Sequence, residues 1–274
     1  MKLYYMPGAS SLLPHIVLIE AGLSFAAVRV DEHTKAIDGD GDYRSVNPLG
    51  YVPALRLEDG SVLTEAASIA QYVADQVPAK KLAPPNGTLD RAKLQSWLNF
   101  ISSELQLGCF CPIFDREIPA AVKAIFHRRL DSRLAHVEQH LVQNAYLLGD
   151  DFSIADVYLF VVSNWARPAS VDLSLYPNIL RLRKRVHART GCEGDDGNGG
   201  PASQRCVTRV LAGLSRIRIG IRTRRSRFGG PPRRPMPITV SYVPPTGCPS
   251  TVSTTRGHPR NAPARLRARH RIPA

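Results

Sequence analysis

The segment KLYYMPGASSLLPHIVLIEAGLSFAAVRVD, residues 2–31, contains the pattern of a strand, a helix and a second strand in close succession. Residues 2–5 predict the first strand. Apolar residues then recur at helical spacing from near Ser10 until Gly22, which predicts a helix between them. Residues 26–31 predict the second strand. Together they predict a β-α-β unit with parallel strands and a right-handed crossover.

A hairpin and a helix are expected next along the chain. Residues 54–57 and 61–64 predict two strands around Asp59-Gly60, a pair of residues that favours a tight turn. Residues 65–77 predict the helix that follows. The order β-α-β and then β-β-α is that of a thioredoxin-like α/β layer, which we assign to residues 1–80.

The chain is predicted to be helical beyond a linker at 84–87, PPNG. Ser153 and Asp156 have the spacing of a capping box at the start of one helix, and another helix is expected after Pro177. We therefore predict an all-α helical-bundle domain at 87–189. Two longer runs have apolar side chains at helical spacing: Leu94, Trp97, Leu98, Ile101 and Leu105, and then Val122, Phe126, Leu130, Leu134, Val137 and Leu141.

The net charge of +13 comes entirely from residues 190–274. This segment has 16 arginines, no lysine and three acidic residues, whereas residues 1–189 have 20 basic and 20 acidic residues. Its abundance of Arg, Pro and Gly predicts a disordered tail. Arginine without lysine is typical of a GC-rich gene translated out of frame, and we prefer this interpretation to a basic arm that binds nucleic acid through phosphates.

The remaining composition excludes several classes of protein. No apolar run has the roughly 20 residues that a membrane helix needs. Pro14, His15 and Glu20 interrupt the apolar stretch that follows Lys2, which argues against a cleaved signal peptide. Five cysteines in 274 residues do not indicate a disulfide scaffold. We therefore expect a cytoplasmic protein without a membrane span.

Five segments resemble the bacterial beta class of the glutathione transferases. They are YLLGDDFSIAD (146–156), KLYYMPGASSL (2–12), NPLGYVP (47–53), LTEA (63–66) and WLNFISSEL (97–105). The resemblance extends over residues 1–189 and implies the two domains predicted above. It also implies a homodimer with active sites near the subunit interface, and a detoxification enzyme that conjugates reduced glutathione to small apolar electrophiles.

Such conjugation requires a glutathione thiol that is ionised. A free thiol has a pKa of about 8.5 and is only a few per cent thiolate at neutral pH. A hydroxyl at a helix N-terminus favours the thiolate, because it donates a hydrogen bond and because the helix dipole stabilises an anion there. Ser10 has this position, so we predict Ser10 as the catalytic donor, with Tyr5 as the second candidate and Ser11 as the third. Glutathione is expected as cosubstrate, with no other cofactor and no metal.

The resemblance also implies the residues that bind glutathione. Pro53 is cis in this family and leaves the main chain of Val52 free to pair with the tripeptide. Glu65 and Ala66 open a helix whose N–H groups suit the γ-glutamyl carboxylate, and Lys35 is a candidate for the glycine carboxylate. Four further residues match helical-domain residues that reach the tripeptide: Asn99, Ser103, Glu104 and Gln106. The expected pocket for the electrophile consists of Met6, Phe110, Ile113 and Trp165.

The sequence departs from the class at three places. Relatives usually have a cysteine at the position of Ser10 and a histidine at that of Gln106. Serine forms no mixed disulfide with glutathione, so the redox activity of that cysteine should be absent, and Gln106 donates a hydrogen bond but carries no charge. Relatives also continue beyond Arg189 into a last helix, which residues 190–200 cannot form. We therefore expect a less stable, aggregation-prone protein.

Two other functions are kept as alternatives. A non-catalytic protein of the same fold would bind glutathione or apolar ligands without turnover. A nucleic-acid binder would act non-specifically through the Arg-rich tail, with salt-sensitive affinity.

His136 and His140 have the spacing of a metal-chelating pair, but a solvated helix face is the preferred interpretation. Packing is likewise preferred over a redox pair for Cys109 and Cys111.

Overall fold

A computed structural model describes residues 1–37 and 41–189 of the chain. Within them, a four-stranded sheet has the order β2-β1-β3-β4. β1 is parallel to β2, while β3 is antiparallel to both β1 and β4. The predicted β-α-β unit and the hairpin are thus confirmed. The strands are β1 (Lys2–Tyr5), β2 (Ala26–Arg29), β3 (Ala54–Arg56) and β4 (Val62–Thr64).

Helices α1 (Leu12–Ala21) and α2 (Ala66–Asp75) belong to one core cluster with the apolar residues of the sheet. The alternation along β1 directs Leu3 to this cluster and Tyr4 to a second one. Tyr4 packs there with Val30, Val46, Ala54 and the fully buried Tyr43, which begins a short 3₁₀ turn (Tyr43–Ser45). The sheet is therefore covered on both faces.

Several predicted boundaries were wrong by one to three residues. The first helix begins at Leu12 instead of near Ser10, because Ser11 hydrogen-bonds the backbone of the preceding loop. It ends as predicted at Gly22, whose left-handed φ of 72° closes the helix. The second strand ends at Arg29, since Asp31 accepts hydrogen bonds from His33 and Thr34 and turns the chain.

The second half of the described chain is helical, as predicted. A short 3₁₀ turn (Pro78–Lys80) precedes it and another (Leu173–Leu175) lies within it. Arg91 joins the two halves, because its buried guanidinium forms an ion pair with Asp75 at the end of α2 and donates to the carbonyl of Pro84. The helices are α3 (Leu89–Phe100), a π-helix (Ile101–Phe110), α4 (Cys111–Phe114), α5 (Ala120–His140), α6 (Ile154–Ser163) and α7 (Pro177–Arg189).

The π-helix is a feature that apolar spacing did not predict. Its i to i+5 geometry brings the backbone of Gly108 against Ser103, such that a Cβ at Gly108 would lie 2.7 Å from the Ser103 carbonyl oxygen. A residue without a side chain is therefore required at this position. Short π-helical segments occur often at functional sites.

Helix α6 is the centre of the helical domain. All ten of its residues are buried, as expected for a helix that is apolar on every side. The predicted capping box at its start is confirmed: Ser153 accepts from the backbone, and Asp156 accepts from the N–H groups of Ser153 and Leu147. Burial raises the pKa of Asp156 to about 6, against the opposing effect of these hydrogen bonds.

Glu138 of α5 holds the beginning of α7. Its carboxylate accepts hydrogen bonds from the backbone N–H groups of Asn178 and Ile179 and from the Asn178 side chain. A carboxylate at a helix N-terminus is favourable, because it satisfies free N–H groups and complements the helix dipole. Glu138 therefore fixes the last described helix against α5.

The remaining patterns have structural roles. The rings of His136 and His140 lie 5.8 and 4.8 Å from that of Trp97. Among the described residues, no group of three or more His, Cys, Asp and Glu side chains is placed to hold a metal ion.

No described helix has both the length and the apolar character needed to cross a membrane. Cys109 is a buried free thiol and Cys111 an exposed one. The predictions for the segment 190–274 concern residues outside the described ranges.

Candidate active site

The loop between β1 and α1 distinguishes its two serines. The hydroxyl of Ser11 donates to the carbonyl of Met6 at 3.1 Å and accepts from the N–H of Met6 at 3.2 Å, so its hydrogen-bonding capacity serves the loop. Ser10 is 8% exposed. No residue in 1–37 or 41–189 hydrogen-bonds its hydroxyl. Of the two, Ser10 therefore has the hydroxyl available to a ligand.

Tyr5, the second candidate donor, ends β1 and is half-buried. Its side chain packs against the same core cluster as Leu3, and its ring meets that of His15 edge-on at 5.9 Å. The imidazole also meets the ring of Phe25 in a T-shaped contact, with 5.2 Å between the ring centres. Burial lowers the pKa of His15 to about 4, so this ring is neutral at physiological pH. The aromatic contact gives Tyr5 a packing role in the sheet.

The loop before β3 presents unpaired backbone. The peptide bond between Val52 and Pro53 is cis, as the resemblance implies. The preceding carbonyl, of Tyr51, accepts from the hydroxyl of Tyr43 at 2.9 Å and from the amide of Asn47 at 2.7 Å, which anchors the loop. Neither the N–H nor the C=O of Val52 has a hydrogen-bond partner within the described ranges. This backbone is therefore available to pair with an extended peptide.

The first turn of α2 offers a site for an anion. Glu65 precedes the helix with φ 66° and ψ 119°, a conformation that costs a non-glycine residue about 1–3 kcal/mol. The first hydrogen bond of the helix joins the N–H of Ile69 to the carbonyl of Glu65. The N–H groups of Ala66, Ala67 and Ser68 are consequently unpaired within the part of the chain described. Such a turn stabilises a carboxylate or phosphate.

Lys35 lies against the loop that contains Val52. Its backbone has a left-handed φ of 63° and is bonded to Asp31 and Tyr43. The Cε atom of its side chain is 3.5 Å from the point that a Cβ of Gly50 would occupy. This cationic side chain therefore lies against Gly50, which precedes the unpaired backbone of Val52 by two residues in the chain.

Gln106 contacts a residue that the sequence analysis missed, Tyr158 of α6. The hydroxyl of Tyr158 donates to the side-chain carbonyl of Gln106 at 2.8 Å. Burial raises the pKa of Tyr158 to about 12, and the negative charge of Glu65 acts in the same direction. Tyr158 therefore joins α6 to the π-helix. A single tyrosine in the buried, largely apolar run of α6 was the signal available in the sequence.

The other three helical-domain candidates are engaged within the chain. Glu104 forms an ion pair with Arg133 of α5, with 2.9 Å between the charged atoms. The hydroxyl of Ser103 donates to the carbonyl of Asn99 at 2.8 Å, and both residues are exposed. Within the described ranges, no hydrogen bond connects these three residues to Ser10.

The predicted apolar pocket is only partly assembled. Trp165 meets Phe110 edge-on at 5.8 Å, and its indole N–H donates to the carbonyl of Gly8 at 2.7 Å. Ile113 belongs to the same cluster, whereas Met6 packs against the second cluster with Tyr4. Phe110 is fully buried and lies behind the more exposed Phe114, which stacks on it at 6.2 Å. Phe114, four residues after Phe110, was missed in the sequence analysis.

The comparison with known proteins decides the family. The model of the glutathione S-transferase N-terminal domain matches residues 11–76, and that of the C-terminal domain matches residues 100–190. Glutathione S-transferase GstA of Escherichia coli O157:H7 is 41% identical over 189 residues, which cover 69% of this chain and 94% of the relative. The chain belongs to the glutathione S-transferase family.

Other glutathione S-transferases agree in sequence and structure. One from Xanthomonas campestris pv. campestris is 36% identical over 181 residues, covering 64% of this chain and 86% of the relative. A ternary complex of the bacterial protein BphK matches with 46% identity and a TM-score of 0.69, over 77% of this chain and all of that one. A beta-class enzyme of Sphingomonas chungbukensis matches with 36% identity and a TM-score of 0.68, over 78% and 98% of the respective chains. The resemblance inferred from the five segments is thus confirmed.

Proposed function

We propose that this glutathione S-transferase conjugates reduced glutathione to small apolar electrophiles, with the Ser10 hydroxyl as donor to the sulfur. The observation that carries the proposal is the available hydroxyl of Ser10, two residues before the start of α1 and in a loop that the Trp165 indole anchors to the helical domain. The names of the relatives favour this function over a non-catalytic carrier and over a nucleic-acid binder.

Three features of the thioredoxin-like domain are proposed to hold the tripeptide. The unpaired backbone of Val52 pairs with the peptide backbone of glutathione. The first turn of α2 binds the γ-glutamyl carboxylate while Glu65 meets the ammonium group, and Lys35 approaches the glycine carboxylate. The charges on the protein are thus opposite to those on each end of the ligand. No other cofactor and no metal is required for this arrangement.

The reaction follows from the position of the sulfur. The thiol proton leaves to solvent, and the Ser10 O–H donates a hydrogen bond to the thiolate, which the N-terminal end of α1 also stabilises. The thiolate attacks the electrophilic carbon and forms the C–S bond, while the leaving group departs with the bonding electron pair. We place the electrophile near Phe114 and Trp165, whose rings offer partly exposed apolar surface. A detoxification role, a cytoplasmic location and a homodimer belong to the same proposal.

Conjugation of glutathione to an aromatic chloronitro electrophile tests the proposal. Loss of a hydrogen bond to a charged group costs about 1.5–3 kcal/mol, so Ser10→Ala should lower kcat/KM by roughly 10- to 100-fold. Ser10→Thr keeps the hydroxyl and is the matched control, which should retain most activity. Unchanged turnover in Ser10→Ala would transfer the donor role to Tyr5, and Tyr5→Phe would then show the loss. Binding of glutathione without turnover would identify a non-catalytic binding protein.

A further inference from the structure

Tyr43 is a fully buried tyrosine that the proposed glutathione site does not use. Its exposed fraction is 0%, and its ring packs against that of Tyr4 in the second cluster, with 5.5 Å between the ring centres. Its hydroxyl donates to the carbonyl oxygen of Tyr51 at 2.9 Å. Because burial raises the pKa of Tyr43 to about 12, the phenol keeps its proton at physiological pH and remains a donor to this carbonyl.

The Tyr51 carbonyl has a second donor, the side-chain amide of Asn47. The Nδ2 atom of Asn47 lies 2.7 Å from this oxygen, while the Oδ1 atom accepts from the N–H of Leu49 at 3.2 Å, which fixes the amide itself. Asn47 is also buried, with 7% of its surface exposed. A carbonyl oxygen has two lone pairs, and two buried donors use them here. The direction of the Tyr51 carbonyl is therefore set by two hydrogen bonds.

The N–H of Val52 belongs to the same peptide unit as this carbonyl. A peptide unit is planar, and in its trans form the C=O and N–H bonds point to opposite sides of the chain. The bond between Tyr51 and Val52 is trans, since the cis bond of this loop is the following one, Val52-Pro53. The two hydrogen bonds that hold the carbonyl therefore also direct the unpaired N–H of Val52 away from Tyr43 and Asn47.

The backbone of Tyr43 connects this loop to Lys35. The N–H of Tyr43 donates to the carbonyl of Lys35 at 2.8 Å. The side chain of Lys35 lies against Gly50, with its Cε atom 3.5 Å from the point that a Cβ there would occupy, and Gly50 directly precedes Tyr51. A directed N–H and a cationic side chain thus depend on one buried residue. This combination suits a peptide that ends in a carboxylate.

We propose that Tyr43 and Asn47 are positioning residues, which direct the Val52 N–H at a backbone carbonyl of bound glutathione. The proposal rests on the proposed function and extends it, because it assigns the residues that set the direction of the pairing. Without these two donors, the peptide unit between Tyr51 and Val52 is free to rotate, and each molecule that binds must first order it. Tyr43 and Asn47 act through this peptide unit and do not touch the tripeptide.

This role separates the binding of glutathione from the chemistry of its thiol. The cost of ordering the peptide unit is added to the free energy of binding, so loss of the donors should weaken affinity. The sulfur of bound glutathione depends instead on Ser10 in the proposed function. The pKa of the bound thiol and kcat at saturating glutathione should therefore not respond to Tyr43 or Asn47. Ser10→Ala, in contrast, should raise this thiol pKa.

The test compares Tyr43→Phe, Asn47→Ala and the double variant in the full chain. Calorimetry measures the Kd of glutathione, the ultraviolet absorbance of the thiolate gives the pKa of the bound thiol, and steady-state kinetics separate KM from kcat. Tyr4→Phe is the matched control. It removes a hydroxyl from the same cluster, and no residue in 1–37 or 41–189 hydrogen-bonds that hydroxyl. Thermal melting establishes that each variant is folded, and Tyr43→Phe keeps the buried ring.

We expect Tyr43→Phe to raise the Kd and the KM of glutathione about 3- to 10-fold, with kcat and the thiol pKa unchanged. The double variant should lose more affinity than the product of the two single effects, because either donor alone still holds the carbonyl. An unchanged Kd in Tyr43→Phe, an equal loss in Tyr4→Phe or an altered thiol pKa in Tyr43→Phe would overturn the proposal.

The amide proton of Val52 reports the pairing directly. In protein labelled with 15N-valine, its NMR signal is assigned through Val52→Ala. The signal should shift downfield when glutathione binds, and a signal that does not move would overturn the proposal. The expected differences in Kd without turnover would overturn the conjugating function and support the role of Tyr43. A chain that binds no glutathione would overturn both.

Discussion

The buried imidazole of His15 should make the stability of this protein sensitive to acid. The ring lies on α1 between the rings of Tyr5 and Phe25, and its Nε2 atom is buried with no hydrogen-bond partner in the described chain. Protonation would place a charge in this apolar site. Burial accordingly lowers the pKa of His15 from 6.5 to about 4. A substitution to phenylalanine, which suits the aromatic surroundings, removes the titration.

The size of this loss of stability follows from the pKa values of His15 in the unfolded and folded states. At about pH 4.5, protonation stabilises an unfolded imidazole of pKa 6.5 by about 3 kcal/mol, whereas a folded one of pKa about 4 gains well under about 1 kcal/mol. Because the folded pKa is lowered, the stability is present above pH 6.5 and is lost as the pH falls toward 4. The native protein should therefore lose roughly 2–3 kcal/mol from this group between about pH 7.5 and 4.5.

Urea unfolding of the native protein and of His15→Phe at the two pH values isolates the contribution of His15 to the free energy of unfolding. Asp156 has the opposite effect, since its raised pKa of about 6 favours the folded state on acidification, but it is present in both proteins and cancels. The loss of unfolding free energy on acidification should be larger in the native protein by roughly 2–3 kcal/mol. An equal loss in both proteins, or an NMR titration of His15 near pH 6.5, would refute the reasoning.

Three further substitutions test contacts that support the site. Glu138→Gln weakens the hold on the start of α7 and should cost about 1–3 kcal/mol in urea unfolding, and an unchanged midpoint would contradict this role. Gly108→Ala places a Cβ 2.7 Å from the Ser103 carbonyl oxygen, so the π-helix must shift and glutathione affinity, measured by calorimetry, should fall. Native affinity in that variant would show that the π geometry is dispensable. Trp165→Phe removes the hydrogen bond to Gly8 and should destabilise the protein by about 0.5–1.5 kcal/mol while raising the KM for glutathione. A KM equal to that of the native protein would separate this contact from the binding loop.

The candidate site was only partly predictable from the sequence. Ser10 could be named because it lies near a helix start, whereas Val52, Glu65 and Lys35 were named from the resemblance to a known family. The sequence could not show which of Ser10 and Ser11 has a hydroxyl available to a ligand, because this depends on which hydroxyl reaches the backbone of Met6. Met6 was expected in the apolar pocket, yet its side chain packs with the second cluster.

The sequence alone determined the order of the strands and helices, the stop of α1 at Gly22 and the capping box of α6. These features depend on interactions within a few residues, so spacing and residue type are sufficient to predict them. The tertiary structure decided that Tyr158 meets Gln106 and that Glu104 meets Arg133. Each of these pairs joins residues that are far apart in the chain. Their contact depends on how whole helices pack, and no local pattern records which side chains will then face each other.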